Sequence, residues 1–235
     1  MIRLDKYIAD TRVLTRKDAV SLIRAGRVTV DGLTLRDAAA KIDEARCTVC
    51  VDGERVGYAA HLYVMLNKPA GLLSASVDAK APTVLSLLPA EYAAKGVACV
   101  GRLDKDTVGL LLLTNDGALS HRLTSPKSLV KKGYRVRCDK PFCEADIAVA
   151  RDGILIDGKR TAPAALTLTD DPYEAEMVLT EGKFHEVKRL CYACGGKEVV
   201  FLERVTFGPL VLDGTLDRGA WRSLTADEVA LLGAL

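Results

Sequence analysis

Two carboxylates stand two residues apart in the most charged loop of the chain, Gly101-Arg102-Leu103-Asp104-Lys105-Asp106-Thr107. In an extended loop the side chains at i and i+2 share a face, so Asp104 and Asp106 can form an acid/base pair of the kind that breaks glycosidic bonds. The loop runs into the apolar stretch Leu110-Leu111-Leu112-Leu113. A buried strand fixes the geometry of charges placed just before it. The same residues also suit a plain surface loop held by a few salt bridges. Two C-x-x-C pairs, Cys47/Cys50 and Cys191/Cys194, raise a second chemistry, a zinc site. The first pair falls in a strand pattern, where i and i+3 face opposite ways, and the second sits at a helix end, where small thiols fit a core. His61, His121 and His185 are the three histidines, and none has a metal-type partner four residues on. No metal ligand is therefore expected.

The elements that position these residues follow from periodicity. Leu4, Ile8 and Val13 mark a short helix. Thr15 and Asp18 resemble a capping box for a second helix, which presents Ala19, Leu22 and Ile23 at helical spacing and stops at Gly26. Residues 27–30 read as a strand and Asp31-Gly32 as a tight turn. A connector over 55–61 then separates a small domain, 1–58, from a larger one, 59–235. The larger domain opens with a continuous apolar run at 62–66, as in a strand buried on both faces, ended by Asn67-Lys68-Pro69. Further strands are expected at 97–100, 110–114, 134–138, 166–168, 174–180 and 199–207. Helices are expected at 117–123, 144–150, 185–193 and 226–232, the last capped by Thr225 and Glu228. Without a regular βαβ rhythm, the domain is α+β with a mainly antiparallel, mixed sheet.

The chain has 235 residues and a nearly balanced charge, 33 Lys and Arg against 31 Asp and Glu. No apolar run approaches the length of a membrane span, and MIRLDKYIAD lacks the apolar core of a signal peptide. A cytoplasmic protein with seven reduced Cys is the expectation. The charge is uneven along the chain. Within residues 1–27, Arg3, Lys6, Arg12, Arg16, Lys17, Arg24 and Arg27 face only Asp5, Asp10 and Asp18. Such a segment is either an electrostatic footprint for phosphate backbones or a solvated helical face.

GRLDKDTVGLLLLTNDG (101–117) resembles the catalytic motif of pseudouridine synthases, in the form carried by the RsuA-type family that acts on ribosomal RNA. RLDKYIADTRVLTRKDAVSLIRAGRVTVDG (3–32) resembles an S4 RNA-binding domain, and YVMLNKPAG (63–71) is similar to the family's first core strand. LTSPKSLVKKGYRV (123–136) resembles the segment with the family's functional Tyr, and LTEGKFHEVKRL (179–190) its third motif. The five segments keep the family's order and span nearly the whole chain.

The resemblance implies a small N-terminal S4 (αL-type) domain followed by a catalytic domain that isomerises a uridine to pseudouridine. It implies ribosomal RNA as partner, and Thr124-Ser125-Pro126 favours 16S rRNA in an assembling small subunit, the uridine 516 type of activity. A monomer is implied, with no membrane partner and no cofactor or metal, because the reaction neither gains nor loses atoms. Asp104 is implied as the catalytic carboxylate, with Lys188 as its cation and Arg189 as the alternative. Tyr134 is implied as a further catalytic residue, stacked on the uracil with its hydroxyl available for proton transfer. Arg102, Leu103, Arg189 and Leu190 line the substrate pocket, Leu190 as its apolar wall. Asp106 is left as a loop-structuring residue beside Thr107. The target base must leave its stack, at a cost of roughly a few kcal/mol. RNA contacts from Arg3, Lys6, Arg16, Lys17, Arg24 and Arg27 are expected to offset that cost. Gly133 stands where the family usually has Thr, and is expected to loosen the backbone at Tyr134. Sister enzymes acting on 23S rRNA and a non-catalytic ribosome-assembly protein are the competing expectations. A sugar hydrolase using Asp104 and Asp106 would need a Trp-rich groove, and Trp221 is the single Trp.

Overall fold

The computed structural model describes residues 1–235 except 45 and 58–60, so part of the connector expected over 55–61 lies outside the described residues. Two compact units form, Met1–Leu62 with Pro89–Lys95, and Tyr63–Leu88 with Gly96–Leu235.

In the first unit, helices Leu4–Thr11 and Arg16–Arg24 bury Leu4, Tyr7, Ile8, Ala19 and Ile23. They share a core with Val28, Val49 and Val51. The Thr15 hydroxyl accepts from the Asp18 N–H at 3.1 Å and donates to the Asp18 carboxylate at 2.6 Å. The shorter Asp thus meets the capping hydroxyl, where a Glu reaches the capping N–H. An antiparallel sheet runs in the order Leu33–Thr34, Val28–Val30, Val49–Val51, Glu54–Val56. The Tyr7 hydroxyl donates to the Val56 carbonyl at 2.8 Å. Helix Ala90–Ala94, which periodicity did not predict, groups with this unit. Lys95 just after it donates to the Ala9 carbonyl.

The second unit is built on a nine-stranded sheet. Its main path runs Ala165–Leu168, Glu174–Leu179, Lys132–Cys138, Val199–Phe207, Val108–Thr114, Tyr63–Lys68, Trp221–Ser223. Pairing is antiparallel except where Val199–Phe207 meets Val108–Thr114, with Glu203 opposite Val108 and Arg204 opposite Gly109. Every residue of Val108–Thr114 is buried, as its unbroken apolar run requires. Gly109 has φ +98°, and a Cβ there would lie 2.3 Å from the Arg204 carbonyl oxygen. The parallel strand can approach this closely only because residue 109 has no side chain. Trp221–Ser223 was not expected as a strand; it pairs with Tyr63–Lys68 at the sheet edge. Both arms of the Thr225/Glu228 capping box form. No described helix is long and apolar enough to cross a membrane.

Candidate active site

The loop carrying Asp104 is fastened from three directions. Lys68 ends its strand fully buried, and its ammonium donates to the carbonyls of Pro69 (3.0 Å), Lys105 (3.2 Å) and Thr107 (2.9 Å). Ser74 Oγ donates to the Leu103 carbonyl at 2.9 Å and accepts from the Leu103 N–H at 3.1 Å. The Gly71 N–H donates to the Lys105 carbonyl at 2.8 Å. Burial pushes the Lys68 ammonium down to about 8, with Asp106 and Asp104 opposing that fall. Three carbonyl acceptors satisfy a cation that would otherwise be costly to bury.

Helix Glu186–Ala193 supplies the facing wall. It starts from His185, held at φ +52°. His185 and Lys188 are three residues apart and so lie on one side of the chain. His185 Nε2 is 3.7 Å from Asp104 Oδ1, and Lys188 Nζ is 3.5 Å from Asp104 Oδ2. Lys188 is closer to Asp106, at 2.7 and 2.8 Å to its two oxygens. That bond to Lys188 holds the Asp106 carboxyl below its ordinary range. Asp106 is therefore a direct partner of Lys188, a correction to its reading as a loop residue beside Thr107.

Asp104, Arg102, Leu103, Tyr134, His185 and Lys188 line one open cleft. Leu179, Val187 and Leu202 supply its apolar surface, and Glu181 and Glu186 its further carboxylates. Burial pushes the Glu186 carboxyl well above the usual range. Thr107 is 1% exposed, and its hydroxyl has no hydrogen-bond partner among the described residues.

Two expected pocket residues lie elsewhere. Arg189, one position past Lys188, is turned by about 100° around the helix. It reaches Asp157 at 3.5 Å and stands 5.7 Å over the Phe184 ring. Leu190 is fully buried in the core with Val136, Leu166 and Met177. Two steps around the helix from Lys188 carry it to the opposite side, so Leu202 and Leu103 take the wall position expected of it.

Tyr134 lies on Lys132–Cys138, where the register with Val199–Phe207 shifts between Gly133 and Tyr134. The Gly133 N–H donates to Thr206 Oγ1 at 2.9 Å, and a Cβ on residue 133 would lie 2.4 Å from that oxygen. Gly133 does not loosen Tyr134, as the sequence suggested; it makes room for the hydroxyl that pins the strand.

The six basic residues singled out in the first unit divide. Arg3 and Arg16 each reach Asp5 at 2.8 Å, Lys6 reaches Asp10 at 2.7 Å, and Arg27 reaches Asp52. Lys17 and Arg24 are exposed and form no ion pair among the described residues. Among the described residues, no group of three or more His, Cys, Asp or Glu is placed to hold a metal ion.

Sequence reasoning missed His185, Lys68 and Leu202 as parts of the site. The one available signal was a Lys two residues past a continuous apolar run. The contacts that define the other two come from across the fold.

Comparison with known proteins finds relatives along the whole chain. A family profile described as RNA pseudouridylate synthase matches residues 62–193. The uncharacterized RNA pseudouridine synthase YtzG of Bacillus subtilis is 41% identical over 98% of each chain. The ribosomal small subunit pseudouridine synthase A of Vibrio cholerae is 42% identical over 97% of this chain and 98% of its own. A crystal structure of a pseudouridylate synthase superposes with a TM-score of 0.69 at 36% identity, covering 99% of this chain and all of that one. With the loop, the Tyr strand and the third-motif helix assembled around one cleft, and with relatives aligned along its whole length, the chain belongs to the RNA pseudouridylate synthase family.

Proposed function

We propose that this pseudouridine synthase acts on 16S ribosomal RNA, with Asp104 as its catalytic carboxylate. The observation that carries the reading is the cleft itself. Asp104, flanked by Lys188 at 3.5 Å and His185 at 3.7 Å, lines the same cavity as Tyr134. The reaction breaks the N1–C1′ bond of uridine, turns the uracil and closes a C5–C1′ bond, while the C5 proton leaves and N1 gains one. A carboxylate near the ribose serves as nucleophile at C1′ or as base at C2′. Tyr134 stacks on the extruded base, with Leu103 and Leu202 as apolar walls. Arg102, exposed at the mouth of the cleft, holds the strand from which the base has left.

The choice of 16S rRNA is supported by the Vibrio cholerae relative, a small-subunit enzyme by name, and by Thr124-Ser125-Pro126. The helices and basic residues of 1–58 support an S4-type RNA-binding domain that supplies affinity while the cleft supplies chemistry. The test is a pseudouridine map of ribosomal RNA from cells with and without the gene. Loss of one 16S site is the expected result. Loss of a 23S site instead moves the target to the other ribosomal RNA, and no change in either RNA overturns the ribosomal substrate.

A further inference from the structure

A second cavity, of about 470 Å³, adjoins the cleft and shares Arg102, Tyr134, Glu181, Gly182 and Lys183 with it. Its walls carry six cations, Arg102, Lys132, Lys159, Arg160, Lys183 and Arg204, and one carboxylate, Glu181. That carboxylate is already engaged, by the Lys183 ammonium and by the Ala162 N–H at 2.6 Å. None of the other five cations forms an ion pair among the described residues. The hydrogen bonds of Lys132 and Arg160 go to backbone carbonyls, at 2.9 Å to Val130 and at 3.1 and 3.0 Å to Asp152 and Gly153, and the Lys132 ammonium stands 5.9 Å over the Phe207 ring.

Arg204 is the telling residue. It is 2% exposed, its Nε donates to the Leu110 carbonyl at 2.8 Å, and its Cζ lies 5.0 Å from the Phe207 ring centroid. Its Nη2 is buried with no hydrogen-bond partner among the described residues. A buried guanidinium nitrogen without an acceptor is an uncommon and costly arrangement in a folded protein. Guanidinium groups match phosphate oxygens in geometry as well as charge.

We propose that this cavity binds a backbone phosphate of the RNA strand next to the target nucleotide, with Arg204 as buried anchor and Lys132, Lys159 and Arg160 as surrounding charge. The inference rests on the reading of the neighbouring cleft as the uridine site. A base that enters the cleft brings its own 5′ and 3′ phosphates to the shared Arg102–Tyr134 wall, where the second cavity opens. The half-buried Lys132 fits the same reading, because burial lowers its pKa and a bound anion would oppose that fall.

The test uses the full chain and two probes, uridine and uridine 3′,5′-bisphosphate, titrated by calorimetry at low salt. The bisphosphate should bind at least about tenfold more tightly than uridine, as expected for new charge-assisted contacts. In Lys159→Gln/Arg160→Gln, whose side chains are exposed, that ratio should fall to about threefold or less. Arg204→Lys, checked for folding by its thermal melt, should do the same; if it does not fold, the exposed double variant decides. A wild-type ratio near one, or a ratio unchanged in the variants, overturns the proposal. So does inorganic phosphate that binds without competing against the bisphosphate, which would mark an anion hole out of reach of the nucleotide. The probes carry no ribosomal sequence. A pseudouridine map that moves the target to another RNA therefore leaves this result standing, and a 16S site with no bisphosphate preference removes only this proposal.

Discussion

In the first unit Asp5 takes both Arg3 and Arg16, Asp10 takes Lys6, and Asp52 takes Arg27. In the second unit five cations gather around one cavity, and none of them forms an ion pair among the described residues. The difference separates two uses of positive charge. A cation already paired with a carboxylate must exchange that partner for a phosphate, so its net gain on binding RNA is small. A cation held only by carbonyls, or by nothing, offers its full charge to a ligand. Arg3, chiefly, and Arg16 hold the Asp5 carboxyl at about 2, so at neutral pH this group is a fixed counter-charge inside the basic segment. The raw count of cations in residues 1–27 therefore overstates what is open to RNA.

The sharpest break in the comparison removes chemistry and keeps charge-based binding. Asp104→Asn should lower turnover by about a thousandfold or more, while affinity for a 16S rRNA transcript stays within about threefold. Unchanged turnover would remove Asp104 from its role.

Lys68 represents a third use of a cation, as an internal clamp on the Asp104 loop. Lys68→Met should reduce turnover by about ten- to a hundredfold through a loosened loop, with binding of the same transcript less affected. Titration gives a sign as well. Since the folded pKa of about 8 lies below the ordinary 10.5, the native state releases this proton first. Between those values the unfolded chain holds more protons, so stability from this group rises with pH. Activity should fall over the same range, because a neutral amine donates two hydrogens to three carbonyls. Turnover and melting temperature measured from pH 7 to 10 should thus move in opposite directions; a parallel fall of both would deny Lys68 the clamp role.

The smallest effect sharpens the comparison within the first unit. Lys17→Gln/Arg24→Gln, at cations without carboxylate partners, should lower transcript affinity about three- to tenfold and reduce the salt slope by about two. Arg27→Gln, at a residue bonded to Asp52, should change affinity less than about twofold. Equal effects would mean that internal pairing does not govern which cations meet RNA.

Much of this was legible in the sequence. The Asp104 loop could be placed because four consecutive Leu after it demand a buried strand. Lys188 was named from its motif, and the helix that starts at Glu186 explains why it, and not Arg189, faces the loop. What escaped the sequence were contacts made across long separations. Leu190 and Leu202 are equally apolar, and only the rotation of one helix and the register of one strand decide which reaches the cleft. Lys68 read as a strand end because its acceptors, at 105 and 107, lie nearly forty residues on. Gly133 read as a source of slack because Thr206, which fills the space above it, is far away in the chain. Arg204 carried no signal at all, since a charged residue in a strand is usually solvated.

The single parallel strand pairing in the nine-stranded sheet also constrains how the molecule is made. Val108–Thr114 lies beside Val199–Phe207, with Gly109 against Arg204. A ribosome must therefore synthesise about ninety further residues after the Asp104 loop before its strand can find that neighbour. Non-local pairings of this kind close late and slowly, because the chain entropy of the intervening loop must be overcome first. Leu202, on the cleft wall, arrives with the same late strand. A nascent chain can thus carry Asp104, Tyr134 and Lys188 without yet having a cleft. Catalytic competence is then among the last properties this polypeptide acquires.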